Sequence, residues 1–202
     1  MDLPAWATDP TSLLITEKQY EALPEDIAHT IEVVDGRVVF CESPTPAHQT
    51  VSFNLAAALK MARPKDPCIA VLQDTDMRYV YANVHRSAEG KNFTLRRPDV
   101  CVLWCLKPGN RLTSTDVFVA IEISSTNSET DFADKKAEYA RQGIEVYLIV
   151  VMVEDRVHSI EEYRLDWSRR NYQLVTAHRD ALRVSLPEGL RLDVSFTELE
   201  QN

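Results

Sequence analysis

The stretch that decides the fold is "VFVAIEISSTNSETDFADKKAEYARQGIEVYLIVVMV", residues 117–153. It opens with a nearly continuous apolar run, Val117 to Ile123, the pattern of a strand buried on both faces. Its middle changes to helical spacing and ends at Gly143, a residue suited to the position just past a helix. Ser128 is the expected helix cap. A second apolar run, Val146 to Val153, follows. Strand, helix and strand in this order predict a right-handed crossover between parallel neighbours. One residue breaks the pattern: Glu122 is a carboxylate among Val119, Ala120, Ile121 and Ile123, where burying a charge is costly unless it is paired or holds a cation.

Working outward, "TEKQYEALP" (16–24) reads as a short helix capped by Thr16 and stopped at Pro24. "HTIEVVDGRVVFCE" (29–42) reads as a hairpin turning at Asp35-Gly36. Residues 44–62 are helical, with Val51, Leu55, Ala58, Leu59 and Ala62 on one stripe. "CIAVLQ" and "DMRYVYA" (68–82) are strand candidates, 83–97 reads as an exposed polar loop, and "PDVCVLW" (98–104) as a strand. Beyond 153, "RVHSIEEYRL", "NYQLVTAH" and "ALRVSL" read as an antiparallel meander. The expected architecture is one α/β domain over residues 1–202, a central mixed sheet flanked by helices.

Composition narrows the function. The 202 residues are 45% hydrophobic and 26% charged, an ordinary globular balance. No apolar run nears the roughly 20 residues of a membrane helix. The acidic start, MDLPAWATDP, is not that of a secretory signal, so the expected location is the cytoplasm. A net charge of −9 argues against a simple non-specific nucleic-acid binder but not against a local basic groove. Lys60, Arg63, Lys65, Arg96, Arg97, Arg169 and Arg170 could line such a groove, and surface solvation accounts for them equally well. Five glycines, at 36, 90, 109, 143 and 189, leave no dinucleotide or phosphate-cradling loop, so no organic cofactor is expected. The four cysteines are 41, 68, 101 and 105. Cys101 and Cys105 would stand about 13 Å apart on a strand, too far to share a zinc ion at about 2.3 Å from each. All four read as buried free thiols of a reducing compartment. His29, His85, His158 and His178 lack metal-ligand spacing, and no G-x-S-x-G elbow is present.

Alternation puts Asp99, Cys101 and Leu103 on one strand face, and Phe118, Ala120, Glu122 and Ser124 on another. If those strands are neighbours, Asp99 and Glu122 meet, and two carboxylates together call for a proton or a cation between them. Hard oxygen ligands suit Mg²⁺ or Mn²⁺. The structural alternative pairs each acid with Arg96 or Arg97. Glu32 reads at least as well as a solvent-facing hairpin residue, and His48 as a hydrogen-bonding residue at a helix start. On the helix, Phe132, Ala133, Tyr139 and Ala140 define an apolar arc. Lys136 falls near its middle and Lys135 at its edge, one turn beyond Asp131. Either lysine needs a partner if buried, Glu122 being the natural one, or else it snorkels to water.

Taken in order, "RPDV", "AIEISS", D-x-x-x-K-x-x-x-Y and "YARQGIEVYLIVV", with "IEVVDGRVVFCESPTPAHQTVSFNLAAAL" upstream, resemble the Uma-two family over residues 12 to 198. The resemblance implies the restriction-endonuclease-like, PD-(D/E)XK fold and a Mg²⁺-dependent endonuclease acting on DNA. It implies catalytic Asp99, Glu122 and Lys135, with Asp99, Glu122 and Glu32 toward the metal. His48, Asp131 and Tyr139 are implied neighbours of the site. The superfamily's usual lysine, two residues after the acid, is replaced here by Ser124. Lys136 stands where an apolar residue is usual and is the second candidate for the amine. Restriction-type enzymes cut two strands as dimers, which makes a homodimer an expectation. The competing expectation is a non-catalytic protein that keeps the nuclease fold and binds a partner or a metal.

Overall fold

The structure is a computed structural model that describes residues 14–41, 43–81, 93–124 and 129–201, without the side chains of 129–131. The expected elements form in the expected order. Helix α1 (Glu17–Glu21) starts at Thr16, whose hydroxyl accepts the Gln19 amide while Gln19 reaches back in a capping box. After α2 (Glu25–Ala28), strands β1 (Ile31–Val34) and β2 (Arg37–Phe40) form the hairpin, with Asp35 and Gly36 both at positive φ. Helix α3 (Pro46–Ala62) is capped by Thr45 and carries proline in its first turn. Strands β3 (Ile69–Gln73), β4 (Met77–Arg78), β5 (Leu95–Arg96), β6 (Val100–Trp104) and β7 (Val117–Ser124) follow. Then come α4 (Glu129–Gln142), β8 (Val146–Val153), β9 (Arg156–Asp166) and β10 (Asn171–His178). Last are β11 (Ala181–Ser185), β12 (Arg191–Ser195) and α5 (Phe196–Leu199).

The main sheet has six strands in the order β10-β9-β8-β7-β6-β3. β7 and β8 are parallel, from Val119 beside Val146 to Ser124 beside Val151, as the crossover through α4 requires. The other pairings are antiparallel. β7 is buried at all eight positions, because each face is covered. On one face lie α3, through Val51, Leu55 and Leu59, and the β11–β12 ribbon, through Leu182, Val184, Leu192 and Val194. On the other lies α4, through Tyr139 and Ala140, packed with Cys101, Leu103, Ala120 and Tyr147. A four-stranded sheet, β2-β1-β5-β4, closes a smaller core of Tyr20, Ile31, Val33 and Leu95. Among the described residues, no helix is long and apolar enough to cross a membrane.

Four sequence expectations need correction. Phe118 does not share a face with Ala120 and Glu122. A bulge opposite Val102 and Leu103 shifts the register, so Phe118 joins the α3 side with Val119. The meander leaves the sheet after β10, since β11 pairs with the unexpected strand β12. Residues 95 and 96 are a buried strand rather than exposed loop, with Arg96 only 3% exposed, while 82–92 lie outside the described residues, as does Ser128. Cys68 and Cys105 are not free thiols. The register that sets Ile69 opposite Trp104 brings the flanking cysteines together, and they form a disulfide with Cα atoms 5.5 Å apart. Cys41 and Cys101 are free, only the latter buried, so the cysteines no longer argue for a reducing compartment.

Candidate active site

Glu122 is the centre of a buried polar cluster where α4 crosses β7. It is 3% exposed. Lys135 and Tyr139 stand one helical turn apart on α4 and so project in the same direction. The Lys135 ammonium donates to Glu122 Oε2 at 2.9 Å, and the Tyr139 hydroxyl donates to Oε1 at 2.6 Å. The second bond is the shorter of the two. Lys136 points elsewhere, because successive helix residues diverge by about 100°. Its ammonium sits 3.6 Å from the centroid of the Tyr163 ring. The edge of the apolar arc, not its middle, therefore faces the carboxylate, and Lys136 is not part of the cluster.

The hairpin supplies a second layer. Glu32 on β1 is 4% exposed, with Oε1 3.9 Å from Lys135 Nζ. Both of its oxygens are held: the Arg97 amide donates to Oε1 at 2.7 Å and Arg96 Nη1 to Oε2 at 2.8 Å. Arg96 also grips Glu138 of α4 through Nε at 2.9 Å and Nη2 at 3.0 Å, and the Tyr79 hydroxyl donates to the same carboxylate. Arg97 is occupied by Asp76 and by the carbonyls of Ala28 and His29. The alternative of Arg96 or Arg97 neutralising Asp99 and Glu122 is thus not realised in these contacts. Neither arginine is free to line a groove. Nothing in the spacing identified Arg96 and Glu138 as partners, although Glu138 lies three residues after Lys135 and so on a neighbouring helix position.

Asp99 sits at the mouth of the cluster. The Ile123 amide donates to its Oδ2 at 2.6 Å, just past the last β6–β7 pair, Val100 with Ile121. His48 Nε2 lies 3.3 Å from Oδ1, and α3 holds that histidine in its first turn, where the His48 amide donates to the Thr45 hydroxyl. Neighbouring Asp74 ends the adjacent β3 edge, its amide 3.3 Å from the Asp99 carbonyl. Ser124 is buried at the end of β7. The Asp131 side chain lies outside the described residues.

Charges in this cluster are unbalanced. Burial pushes the Glu122 carboxyl up to about 7, against the pull of Lys135, with Asp99 and Glu32 pushing further. Burial also works against ionised Glu32, yet Lys135, Arg96 and the Arg97 amide hold it below the usual carboxylate range. Burial would lower His48, but the hydrogen bond and charge of Asp99, backed by Asp74 and Glu122, raise it. Asp74 is raised by burial and by the Asp99 charge. Asp99 lies close enough to Glu122 for its charge to raise the Glu122 carboxyl. Among the described residues, no group of three or more His, Cys, Asp or Glu side chains converges as a ready-made metal cage.

A family model matches residues 17–198, and the family it describes is Uma2, "Putative restriction endonuclease". The chain belongs to the Uma2 family. Among solved structures, this Uma2 chain is similar to one from Anabaena variabilis ATCC 29413, described as a "putative nuclease". The TM-score is 0.65 at 14% identity, covering 92% of this chain and 97% of that one, a likeness of fold. No curated protein matches the chain. Around the end of β7 the fold brings together His48 of α3, Asp99, Glu122 and Lys135 of α4, with Glu32 of the hairpin beside them.

Proposed function

We propose that this Uma2 chain is a Mg²⁺- or Mn²⁺-dependent endonuclease that hydrolyses phosphodiester bonds of DNA. The observation that carries this reading is the pair Asp99 and Glu122 at one strand end, with Lys135 bonded to the buried acid. The donor set suits such an ion. In the cluster around Glu122, three buried carboxylates, Glu32, Glu122 and Glu138, face two cations, Arg96 and Lys135, and Asp99 stands at the mouth beside His48. Mg²⁺ needs only one or two carboxylates, keeping water for the rest of its shell. Asp99 and Glu122 would hold it, and it would supply Lewis-acid polarisation and a more acidic water when bound. Glu32, committed to Arg96 and the Arg97 amide, acts on Lys135 as a counter-charge rather than as a ligand.

The chain's own groups divide the remaining work. Tyr139 fixes the Glu122 carboxylate so that it cannot rotate away from the mouth. Lys135 presents ammonium N–H donors to an attacking water or to the negative charge building on the phosphate. His48 and the Ile123 amide hold the Asp99 carboxylate in place. A second reading, a non-catalytic nuclease-fold protein that binds a partner or a metal, draws on Arg96 and Arg97. These two basic residues are spent on ion pairs within the protein, those of Arg96 buried and that of Arg97 partly so, instead of facing a nucleic acid. The proposal also includes a homodimer, since one site cuts one strand, and a cytoplasmic location.

The test is cleavage of supercoiled plasmid and of single-stranded DNA with Mg²⁺, Mn²⁺ or EDTA. Asp99→Ala is expected to reduce metal-dependent cleavage to background while the circular dichroism spectrum and melting transition stay native. Cleavage that survives Asp99→Ala counts against this site. Wild-type protein that cuts neither substrate at any metal concentration counts for the second reading.

A further inference from the structure

A second concave site lies at the opposite end of β7. It is a pocket of about 250 Å³ between the start of β7, the C-terminal end of α4 and the β9–β10 turn. Val117 and Phe118 line it, and Glu122 is four to five residues further along the strand, about 15 Å away. Besides buried Phe118, three exposed aromatic side chains line it. Trp104 is 37% exposed, Tyr81 53% and Trp167 64%. A soluble domain has little reason to hold three large rings half in water around one hollow unless something covers them.

The rings are also held in place. Trp104 packs on Phe118 with centroids 5.0 Å apart. Trp167 lies against Gly143, where a Cβ would come within 3.4 Å of the indole. Gln142 ties the Tyr81 backbone to the helix, accepting from its N–H at 3.1 Å and donating to its carbonyl at 2.7 Å. Arg141 and Arg170 line the same hollow. The Arg141 Nε is buried with no hydrogen-bond partner among the described residues, a donor whose desolvation nothing offsets. Glu145, also in the lining, sets one negative charge against two positive ones.

We infer that this pocket binds a nucleotide, one unpaired base between the Trp104 and Trp167 rings with its phosphate on Arg141 and Arg170. Flat aromatic faces beside guanidinium groups are the usual chemistry for holding single-stranded nucleic acid, because every base has a π-face and every link an anion. The volume lies below the roughly 300–1,000 Å³ of drug-sized sites, which suits a single ring system. As a contact for a strand being cut at Glu122, the site rests on the nuclease reading. As a site for a free nucleotide it does not.

Full-length protein carrying Trp6→Phe leaves Trp104 and Trp167 as its only indoles. Its fluorescence is followed in EDTA during titration with ten-residue oligothymidylate, thymidine monophosphate and inorganic phosphate. The oligonucleotide is expected to quench saturably and phosphate alone to do nothing. Trp167→Leu and Arg141→Gln should each weaken binding at least about fivefold, while Trp167→Phe, which keeps a ring, retains most of it. Asp99→Ala should bind like its parent. Monophosphate binding as tight as the oligonucleotide identifies a free nucleotide as the ligand; much weaker binding identifies a strand. No quenching by either, or quenching indifferent to both pocket variants, overturns the inference. DNA cleavage without this quenching sinks the pocket alone, and quenching without cleavage sinks the nuclease reading alone.

Discussion

The two faces of the six-stranded sheet are built on different terms. Under α3 and the β11–β12 ribbon the interior is mainly aliphatic, with Leu55, Leu59, Val102, Ile121, Leu182 and Leu192 in one cluster beside Phe118 and Phe196. Under α4 it is aromatic, Tyr139 packing edge-on against Tyr147 with centroids 5.3 Å apart. Along its edge that second face takes in Glu122, Lys135, Glu32, Arg96 and Glu138, all nearly buried. The first face is stabilised mainly by burial of apolar surface, with one buried acid, Glu162, paired with Arg164 and His178 beside the ribbon. The second carries ionic groups that well-packed apolar residues could replace with no loss of stability, a substitution often neutral or favourable in proteins. The larger ionic cluster, five nearly buried charged side chains, lies on the α4 face, where the proposed chemistry needs it.

This contrast can be broken by substitution on either side. Lys135→Met leaves Glu122 and Glu32 without their shared cation and should cost about 3–5 kcal/mol, the usual penalty for removing half of a buried pair. Adding Glu122→Gln should recover much of that loss while cleavage stays at background; denaturant melts paired with plasmid assays read both. On the aliphatic face, Leu55→Ala should cost about 2–5 kcal/mol, yet the folded fraction should cut DNA at the parent rate per molecule. A Leu55→Ala protein that is stable but inactive would erase the division between the faces.

A smaller effect sharpens it. The Glu122 carboxyl titrates near 7 in the metal-free fold and near 4.5 in a free chain, so the folded state binds the extra proton between those values. Stability from this group is therefore present below about pH 4.5 and lost as pH rises toward 7. The loss is at most about 3 kcal/mol. Chemical melts in EDTA should show this decline, and Glu122→Gln should flatten it. Mg²⁺ should restore more stability at pH 7.5 than at pH 5.5. The smallest effect belongs to Lys136→Ala, which removes a cation–π contact worth about 0.5–1 kcal/mol and should leave cleavage unchanged.

Much of this division was legible in the chain. The crossover was readable because β7 and β8 are apolar runs with helical spacing between them. Glu122 announced itself by being the one charge in its strand. Alternation grouped Asp99 with Cys101 and Leu103; Asp99 itself precedes β6, where its carboxylate accepts from the Ile123 amide and meets His48 of α3. Alternation failed at Phe118, because a bulge is set by pairing with β6 and leaves no mark in one strand's pattern. Lys135 could not be separated from Lys136 by periodicity alone, since the α4 arc is as much ionic as apolar: Glu138 and Gln142 are buried with Tyr139, whereas Ala133 is exposed. Arg96 was misread as a loop residue for the same reason, a polar side chain buried through its partners. The Cys68–Cys105 pair depends on the β3–β6 register, which sequence spacing does not encode.

The central claim is that Asp99 and Glu122 hold one divalent cation beside Lys135. Crystals soaked in Mn²⁺ test it most directly. The account requires an anomalous peak within bonding distance of both carboxylates, absent from Asp99→Ala crystals. A peak elsewhere, or none at saturating Mn²⁺, would contradict it.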